Sequence, residues 1–132
     1  MTIETINEDY LKEIKKLYEE EGWISYLDSD MKLSNAIKNS QILGLISRGK
    51  LIGFIRYLTD FEHILYIQDL IIAKNYRRNG GGQMLIENLL NKYSYIRSKV
   101  LLTDIDDRVS NDFYQKLNFQ KLEDKSMISY IK

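Results

Sequence analysis

The chain contains no cysteine, no proline and only one histidine, His63. Without cysteine there can be no disulfide, no thiolate metal site and no acyl-cysteine intermediate. A lone histidine without cysteine partners does not make a zinc site, and we therefore expect no bound metal. Because proline is also absent, the ends of helices and strands must be marked by Gly, Asn and Asp.

The chain also lacks an excess of charge of either sign and any long hydrophobic run. It has 19 basic and 19 acidic residues, whereas proteins that bind nucleic acids or membrane surfaces usually carry a basic excess. No apolar run approaches the ~20 residues that span a bilayer, and the N-terminus shows no signal-peptide pattern. We therefore expect a cytoplasmic protein without nucleic-acid or membrane partners, folded as one domain over residues 1–132.

The most informative segment combines an apolar run with a cluster of glycines. Residues 65–72 are mostly apolar, residues 77–82 read Arg-Arg-Asn-Gly-Gly-Gly, and a periodic apolar pattern begins at Met84. This order predicts a strand, a glycine-rich turn and the start of a helix. Glycines let backbone N–H groups approach a phosphate closely, and the helix N-terminus adds partial positive charge. The segment therefore predicts a site for the diphosphate of a cofactor, with an ordinary exposed turn as the alternative.

The spacing of these glycines excludes two common phosphate loops. A Walker A loop requires lysine after its last glycine, but Gly82 is followed by Gln83. A dinucleotide-binding fingerprint requires another glycine three residues after Gly82, where the chain has Leu85. The remaining pattern, Arg-x-x-Gly-x-Gly at Arg77, Gly80 and Gly82, resembles the coenzyme A loop of the GNAT family of N-acetyltransferases.

A second motif near the C-terminus supports this resemblance. Residues 113–119 read Phe-Tyr-Gln-Lys-Leu-Asn-Phe and are similar to the GNAT signature Phe-Tyr-x-x-Leu-Gly-Phe, with Asn118 in place of the glycine. Asn tolerates the left-handed conformation that usually ends the helix at this position. The resemblance covers nearly the whole chain and implies an α/β (α+β) fold, with a mixed central sheet of about six to seven strands and helices on both faces.

Hydrophobic patterning places the elements of such a fold along the chain. The expected strands lie at 2–6, 41–47, 51–59, 63–72 and 100–104, with a closing pair at 119–122 and 127–131. The expected helices run over 8–20 with Asn7 as N-cap, over 29–39, from the glycines to residue 93, and from residue 106 or 107 to about 117.

The resemblance implies that acetyl-CoA is the co-substrate and assigns residues to its binding. The backbone of Leu70, Ile71 and Ile72 is expected to pair with the pantetheine arm, and an N–H group there to support the developing oxyanion. The diphosphate is expected to contact seven residues, chiefly through backbone amides: Arg77, Arg78, Asn79, Gly80, Gly81, Gly82 and Gln83. Either arginine could add a charged contact, or could instead be solvated or paired with an acid.

One cofactor position departs from the family pattern. Relatives often carry an asparagine that contacts coenzyme A seven residues before the signature tyrosine, and this chain has Asp107 there. Asn111 is the nearest replacement, so whether Asn111 or Asp107 contacts coenzyme A stays open at this point. Because an acid facing a phosphate is unfavourable, Asp107 could instead cap the following helix.

The resemblance also assigns residues to the transfer step. Tyr114 matches the tyrosine that protonates the leaving thiolate, with a packed aromatic ring as the alternative, and an unperturbed phenol pKa of about 10 suits an acid at neutral pH. Asp69 is the candidate general base; if its role is structural, the amine loses its proton to water. Gln68 stands where many relatives carry glutamate. Because successive strand residues face opposite sides, Gln68 and Asp69 are not expected to share a cleft.

The acceptor site is expected in the segment between the first two helices. Trp23 and Tyr26, together with Gln68, would contact an amine of a small molecule or a peptide, with Asp28 near its cation. The alternative is a loop that Trp23 simply packs down, which would leave the acceptor undefined.

These assignments lead to three hypotheses for function. The first is an N-acetyltransferase that moves the acetyl group of acetyl-CoA to a primary amine by direct attack in a ternary complex, since a cysteine intermediate is excluded. The second is a non-catalytic acetyl-CoA-binding module that acts as a sensor or interaction domain. The third, an RNA-binding protein using Lys74, Arg77 and Arg78, is disfavoured by the neutral charge. Because many family members pair through their late strands, a homodimer is one expected state.

Overall fold

The computed structural model describes residues 1–132, which form two compact units, Met1–Leu101 and Leu102–Lys132. The larger unit contains β1 (Thr2–Ile6), α1 (Leu11–Glu21), α2 (Asp30–Lys38), β2 (Gln41–Ser47), β3 (Lys50–Thr59), β4 (Ile64–Ile72), α3 (Gly81–Lys92) and β5 (Ser98–Leu101). The smaller unit contains α4 (Arg108–Lys116). Short 3-10 turns lie at Glu8–Tyr10, Ile24–Tyr26, Lys74–Tyr76 and Leu122–Lys125.

The strands form one mixed sheet in the order β1-β2-β3-β4-β5. The pairs β1–β2, β2–β3 and β3–β4 are antiparallel, and β5 runs parallel to β4. The pairing of β5 with β4 covers only Ile64 to Ile67, opposite Ser98 to Leu101. The C-terminal half of β4 therefore has a strand neighbour on the β3 side only.

The first helix shows why the sequence signals at its two ends were informative. Asn7 precedes a 3-10 turn and accepts a hydrogen bond from the N–H of Asp9 through Oδ1 at 2.9 Å, as a helix-capping residue does. The α-helix proper begins at Leu11, three residues later than predicted. The last helical residue is Glu21. Gly22 caps the helix with a φ of +79°, and its N–H reaches the carbonyls of Tyr18 and Glu19.

Helices cover both faces of the sheet, as predicted. On one face, α1 and α2 pack against the strands through a cluster of buried apolar side chains: Ile6, Ile14, Leu17, Leu33, Ile37, Ile42, Phe54 and Ile71. On the other face, α3 begins at Gly81, where a Cβ atom would come within 2.7 Å of Leu45. Side-chain alternation along β2 places Leu45 and Ile42 on opposite faces. The core is therefore divided between two layers of helices by the sheet.

A β-bulge interrupts β4 at Gln68. Arg56 of β3 pairs with Asp69, and the next residue, Tyr57, pairs with Ile67, which leaves Gln68 without a partner on β3. A bulge breaks the strict alternation of side chains along a strand, because two residues on one strand oppose one residue on the other. This irregularity decides the geometry of the site described below.

The smaller unit contains two of the expected capping features. Asp107 caps α4, with its Oδ1 accepting from the N–H of Ser110 at 3.0 Å. Asn118 adopts a φ of +69°, so that asparagine fills the left-handed position usually occupied by glycine. The N–H of Phe119 then donates to the carbonyl of Tyr114 at 3.0 Å and closes the end of the helix.

The closing strand pair predicted at 119–122 and 127–131 is wrong. The chain forms a 3-10 turn at Leu122–Lys125, after which the N–H of Met127 donates to the carbonyl of Leu122 at 2.9 Å. Local hydrogen bonds of this kind use amides that a strand pair would share, and the apolar side chains of 127–131 stay exposed. A local hydrophobic pattern can suit a strand, but it does not make two segments pair in a sheet. The sheet consequently has five strands rather than about six to seven.

No helix combines the length and the apolar character that would let it cross a bilayer. The titratable side chains likewise form no group of three or more His, Cys, Asp or Glu residues suited to a metal ion.

Candidate functional site

The N-terminus of α3 presents a row of backbone N–H groups without partners. Gly80 adopts a φ of +80° and precedes the helix without a side-chain cap. The first hydrogen bond of the helix runs from the N–H of Met84 to the carbonyl of Gly80 at 3.0 Å. The N–H groups of Gly81, Gly82 and Gln83 therefore have no acceptor within the helix. Together with the helix dipole, they form a site suited to an anion such as a phosphate.

The two arginines before the glycines have different surroundings. Arg77 donates from Nε to the carbonyl of Ile72 at 2.9 Å and forms an ion pair with Glu21 at the end of α1. Arg78 is exposed, forms no ion pair and adopts a left-handed φ of +67°. Of the two guanidinium groups, the one at Arg78 is therefore free to meet an incoming anion, whereas the one at Arg77 already has protein partners.

The two remaining polar side chains of the loop make local hydrogen bonds. Asn79 donates from Nδ2 to the carbonyl of Tyr76 at 3.3 Å, and Gln83 donates from Nε2 to Glu87 at 2.8 Å. Neither bond uses the main-chain N–H groups, so the backbone of the loop stays available to a ligand.

The end of β4 offers a free edge beside this loop. Leu70, Ile71 and Ile72 pair with β3, and β5 pairs with β4 only as far as Ile67. The side chain of Ile71 is buried in the core, whereas Leu70 and Ile72 are half-buried. These residues thus serve packing through their side chains while one edge of their backbone lacks a strand partner.

Tyr114 lies in the smaller unit with its ring half-buried among aromatic neighbours. Its ring centre is 5.3 Å from that of Phe113 and 5.7 Å from that of Phe119, both in edge-on arrangements. Burial, with a smaller contribution from the negative charge of Asp107, raises the pKa of Tyr114 to about 12. The phenol therefore keeps its proton at neutral pH.

Asn111, the residue of this unit that was predicted to bind the cofactor, makes local hydrogen bonds. Its Nδ2 donates to the carbonyls of Asp104 and Asp107, at 2.9 and 2.7 Å. The Asn111 side chain thus joins the loop before α4 to the first turn of that helix.

A second polar site lies under the segment between α1 and α2 and is centred on Asp69. The carboxylate is only 3% exposed and accepts hydrogen bonds from Tyr18 and Arg56 through Oδ2, at 2.7 and 2.8 Å. Its Oδ1 accepts from the hydroxyl of Tyr26 at 3.1 Å. We call these residues, together with Gln68, the Asp69 cluster.

The expectation that Gln68 and Asp69 face opposite sides is wrong. Gln68 donates from Nε2 to the hydroxyl of Tyr26 at 3.0 Å, and the same hydroxyl donates to Asp69. Both side chains reach one group because the β-bulge at Gln68 interrupts the alternation of β4. The structure therefore brings together three of the predicted site residues, Tyr26, Gln68 and Asp69.

Burial and charge hold the tyrosines of the Asp69 cluster in their neutral form. The pKa of Tyr18 is raised well above its ordinary value, mainly by burial and further by the charge of Asp69. The pKa of Tyr26 is raised for the same main reason. Each phenol thus keeps the proton that it donates to Asp69 in a hydrogen bond.

The predicted acceptor residue Trp23 packs against this cluster. Its ring centre lies 6.2 Å from that of Tyr18 and 6.5 Å from that of Tyr26, while the rings of Tyr18 and Tyr26 stack at 4.4 Å. Asp28 is exposed. The aromatic residues therefore pack the loop against the protein, as in the alternative to an acceptor site that the sequence left open. The loop also places the Tyr26 hydroxyl in the polar site.

Two members of the Asp69 cluster, Tyr18 and Arg56, were missed by sequence reasoning. Tyr18 fits the apolar stripe of α1, and nothing in that pattern reveals where its hydroxyl points. Arg56 did carry a signal, because a charged residue inside the otherwise apolar run of β3 is buried only when it has a partner. It is 8% exposed, which places its guanidinium inside the protein next to Asp69.

A cavity of about 440 Å³ lies elsewhere, between the outer side of α1 and the start of β3. Its lining includes Tyr10, Leu17, Leu51 and Tyr76, and none of the predicted site residues. The predicted donor and acceptor residues thus lie at a helix terminus, a strand edge and a filled aromatic cluster, outside this cavity.

A family model for the acetyltransferase (GNAT) family matches residues 6–119. The chain belongs to the GNAT family of acetyltransferases. The match includes both motifs on which the resemblance was based, the glycine loop and the segment around Tyr114. The family assignment made from sequence is therefore confirmed, whereas a single domain over all 132 residues stays a prediction.

Individual relatives agree with this membership. An uncharacterised N-acetyltransferase from Pyropia yezoensis is 32% identical over 128 residues, which cover 91% of this chain and 71% of that protein. A GNAT-family acetyltransferase from Streptococcus pneumoniae has a similar fold, with a TM-score of 0.83, 24% identity, and coverage of 99% of this chain and 96% of that one. An aminoglycoside N-acetyltransferase solved with CoA is similar in fold at a TM-score of 0.72, with 16% identity over 99% and 98% of the two chains.

Proposed function

We propose that this GNAT protein transfers the acetyl group of acetyl-CoA to a primary amine of a small molecule or a peptide, by direct attack in a ternary complex. The observation that carries the proposal is the row of unpartnered N–H groups at Gly81, Gly82 and Gln83. These groups begin a helix directly after a strand with a free edge. Such a site suits a ligand that combines a diphosphate with an extended arm, as acetyl-CoA does.

On the donor side, the backbone does most of the binding. The N–H groups at the start of α3 would take the diphosphate oxygens, with the free guanidinium of Arg78 adding charge. The edge of β4 at Leu70 to Ile72 would pair with the pantetheine arm and direct an N–H group at the thioester carbonyl. A donor that is in place before the reaction stabilises the oxyanion as it forms.

The transfer step itself must conserve its protons. The ammonium first loses one proton to water, its nitrogen then forms a bond to the acetyl carbon, and the carbon–sulfur bond breaks. The second proton that the nitrogen loses balances the proton that the thiolate gains, so one proton is released overall. Tyr114, with a pKa of about 12, keeps its proton and donates a hydrogen bond to the departing sulfur. Complete transfer from so weak an acid to a thiolate is unfavourable, because thiols have a pKa near about 8.5. Stabilisation by the hydrogen bond is therefore the main role that we assign to Tyr114.

Of the two roles open to Asp69, the geometry favours the structural one. Its oxygens already accept from Tyr18, Tyr26 and Arg56, and the carboxylate is nearly inaccessible. An amine could reach Asp69 only by displacing one of these donors. We therefore assign to Asp69 the positioning of the Tyr26 hydroxyl, and the amine gives its proton to water.

The acceptor would lie against Trp23, Tyr26 and Gln68. The Tyr26 hydroxyl donates a hydrogen bond to Asp69 and accepts one from Gln68, so it has limited capacity for a further hydrogen bond. The exposed carboxylate of Asp28 is available to a cationic acceptor. A small-molecule amine fits this set, and the aminoglycoside acetyltransferase with a similar fold shows that the fold accommodates such acceptors.

A non-catalytic acetyl-CoA-binding module is the second candidate, and one observation favours it. All the accepting oxygens of Asp69 have protein donors, so the cluster offers no free base. Such a protein would bind the cofactor through the same loop and would act as a sensor or interaction domain.

Thiol release from acetyl-CoA separates the two candidates. The assay would present the protein with polyamines, aryl amines, amino sugars and peptides with free N-termini. We expect at least one class to give acceptor-dependent release together with the acetylated amine. Tight cofactor binding with no release above slow hydrolysis, across all four classes, would support the non-catalytic module instead.

A further inference from the structure

The last turn of α1 carries charges that the helix itself disfavours. Residues 19–21 are all glutamate, and no basic residue lies in this turn. The C-terminus of a helix carries partial negative charge, so three consecutive acids there oppose the helix dipole. A locally unfavourable arrangement of this kind points to interactions made elsewhere in the molecule.

Two of these glutamates hold the segment that leads into the phosphate-binding loop. Glu20 accepts a hydrogen bond from the N–H of Lys74 through Oε1 at 2.5 Å. Glu21 forms an ion pair with Arg77, which also donates from Nε to the carbonyl of Ile72 at 2.9 Å. The two ends of the segment 72–77 are thus joined to each other, and the segment is joined to α1 at Lys74 and Arg77.

The loop needs support of this kind because its own backbone is strained. Arg78, next to Arg77, has a φ of +67°, and a left-handed conformation is unfavourable for a residue with a side chain. Gly80 follows with a φ of +80°. The contacts of Arg77 fix the chain immediately before these two residues, where the N–H groups of α3 receive their direction.

We propose that Glu21 and Arg77 form a clamp that positions the phosphate-binding loop, with Glu20 as its second anchor. Arg77 is then a positioning residue rather than a ligand of the phosphates. The proposal rests on the proposed function for its cofactor, but the clamp itself is a property of the free protein. The clamp explains the acidic end of α1, whose glutamates have no part in the proposed donor or acceptor site.

The clamp and a direct phosphate contact make opposite predictions for Glu21. In a direct contact, Glu21 competes with phosphate for Arg77, so that Glu21→Gln should leave coenzyme A binding unchanged or tighten it. In a clamp, the same change releases the loop and weakens binding. Arg77→Gln weakens binding in both cases, and it therefore serves as the second arm of a double-mutant cycle.

The experiment measures coenzyme A binding by calorimetry for the wild type, Glu21→Gln, Arg77→Gln and the double variant. We expect each single change to weaken binding by about three- to fivefold, the range of a partly exposed ion pair. The double variant should bind no more weakly than the weaker single variant, because both changes remove one interaction. Glu19→Gln is the matched control, since the Glu19 side chain lies in the same turn and forms no ion pair.

Two further arms keep the result interpretable. Pantetheine lacks the diphosphate, so its binding should be equal in all variants. Hydrogen exchange of the free protein should be faster at the amides of residues 77–80 in Glu21→Gln than in Glu19→Gln. If Glu21→Gln unfolds, Arg77→Lys replaces it, because lysine keeps the charge but cannot contact both Ile72 and Glu21 at once.

The outcomes separate the clamp from the proposed function. A wild type that binds no coenzyme A contradicts the proposed function, and the exchange rates still decide whether the clamp exists. Equal or tighter binding in Glu21→Gln, with unchanged exchange at 77–80, overturns the clamp. Arg77→Lys that binds like the wild type overturns it as well, because the charge of residue 77 would then be sufficient.

Discussion

The loop at the start of α3 and the Asp69 cluster differ in whether their polar groups have hydrogen-bond partners in the protein. The loop leaves the N–H groups of Gly81, Gly82 and Gln83 without a protein acceptor. The Asp69 cluster satisfies every oxygen of a buried carboxylate, and the protein has no buried side-chain polar atom without a hydrogen bond. The loop thus keeps hydrogen-bond donors available to a ligand, whereas the Asp69 cluster forms an internal network.

The largest effect that would test this comparison concerns the buried ion pair. Asp69→Asn removes the negative charge beside Arg56 and leaves the buried guanidinium uncompensated. We expect a loss of about 3–5 kcal/mol in the free energy of unfolding, measured with urea. Asp28→Asn, an exposed change in the same region, should cost less than about 0.5 kcal/mol. Similar small losses for both variants would show that the cluster is not a tightly coupled network.

A pair of glycines tests the donor side with a built-in control. Gly80 and Gly49 have φ values of +80° and +76°, and neither has an atom within 4 Å of an added Cβ. Alanine at either position should therefore cost about 1 kcal/mol of stability through backbone strain alone. Only Gly80→Ala disturbs the loop, so we expect coenzyme A binding to weaken by about tenfold there. Equal coenzyme A affinities for the two variants would remove the loop from the donor site.

Tyr114 tests whether the smaller unit contributes to the transfer step. Tyr114→Phe removes the hydroxyl and keeps the ring, so turnover should fall about tenfold while coenzyme A affinity is unchanged. Tyr95→Phe, at a residue that is 61% exposed, is the control and should behave like the wild type. Unchanged turnover in Tyr114→Phe would leave Tyr114 with a packing role only.

Between pH 8 and 10, alkaline pH should produce the smallest of these effects. The Asp69 cluster contributes through Tyr18 and Tyr26, beside Tyr57 and Tyr114, whose pKa values burial also raises. Folding raises the pKa of Tyr18 and Tyr26 above 10, so the folded state holds protons that the unfolded state releases first. The stabilisation is fully present below pH 10 and decreases as the pH rises above it towards the raised values. Between pH 8 and 10 the loss that comes from Tyr18 and Tyr26 together should stay under about 1 kcal/mol. Tyr18→Phe should show a shallower decrease above pH 10, and an identical profile would contradict this assignment.

Sequence patterns predicted the strand, glycine turn and helix of the proposed donor side because the determinants of these elements are local. Strand, glycines and helix follow one another directly, and Gly80 and Asn118 occupy the left-handed positions that their residue types favour. The cap at Asn7 could likewise be derived from neighbouring residues, whereas the helix layers on both faces were implied by the family resemblance. Family membership then followed from two short motifs at the expected separation.

The hydrogen bonds of the Asp69 cluster could not be predicted because its members are distant in sequence. Tyr18 and Tyr26 reach Asp69 across 51 and 43 residues, and no periodic pattern encodes such contacts. The bulge at Gln68 is equally invisible, since a single unpaired residue leaves the apolar pattern of β4 intact. The prediction of the closing strand pair failed for a similar reason, because strand pairing depends on a partner strand and not on the local hydrophobic pattern alone.

The most direct test of the donor site is an amide NMR titration of the protein with coenzyme A. The account predicts large shifts at the N–H groups of Gly81, Gly82 and Gln83 with coenzyme A, and much smaller shifts at these residues with pantetheine. Binding that leaves these three amides unchanged, or that shifts the residues lining the cavity beside α1 instead, would contradict it.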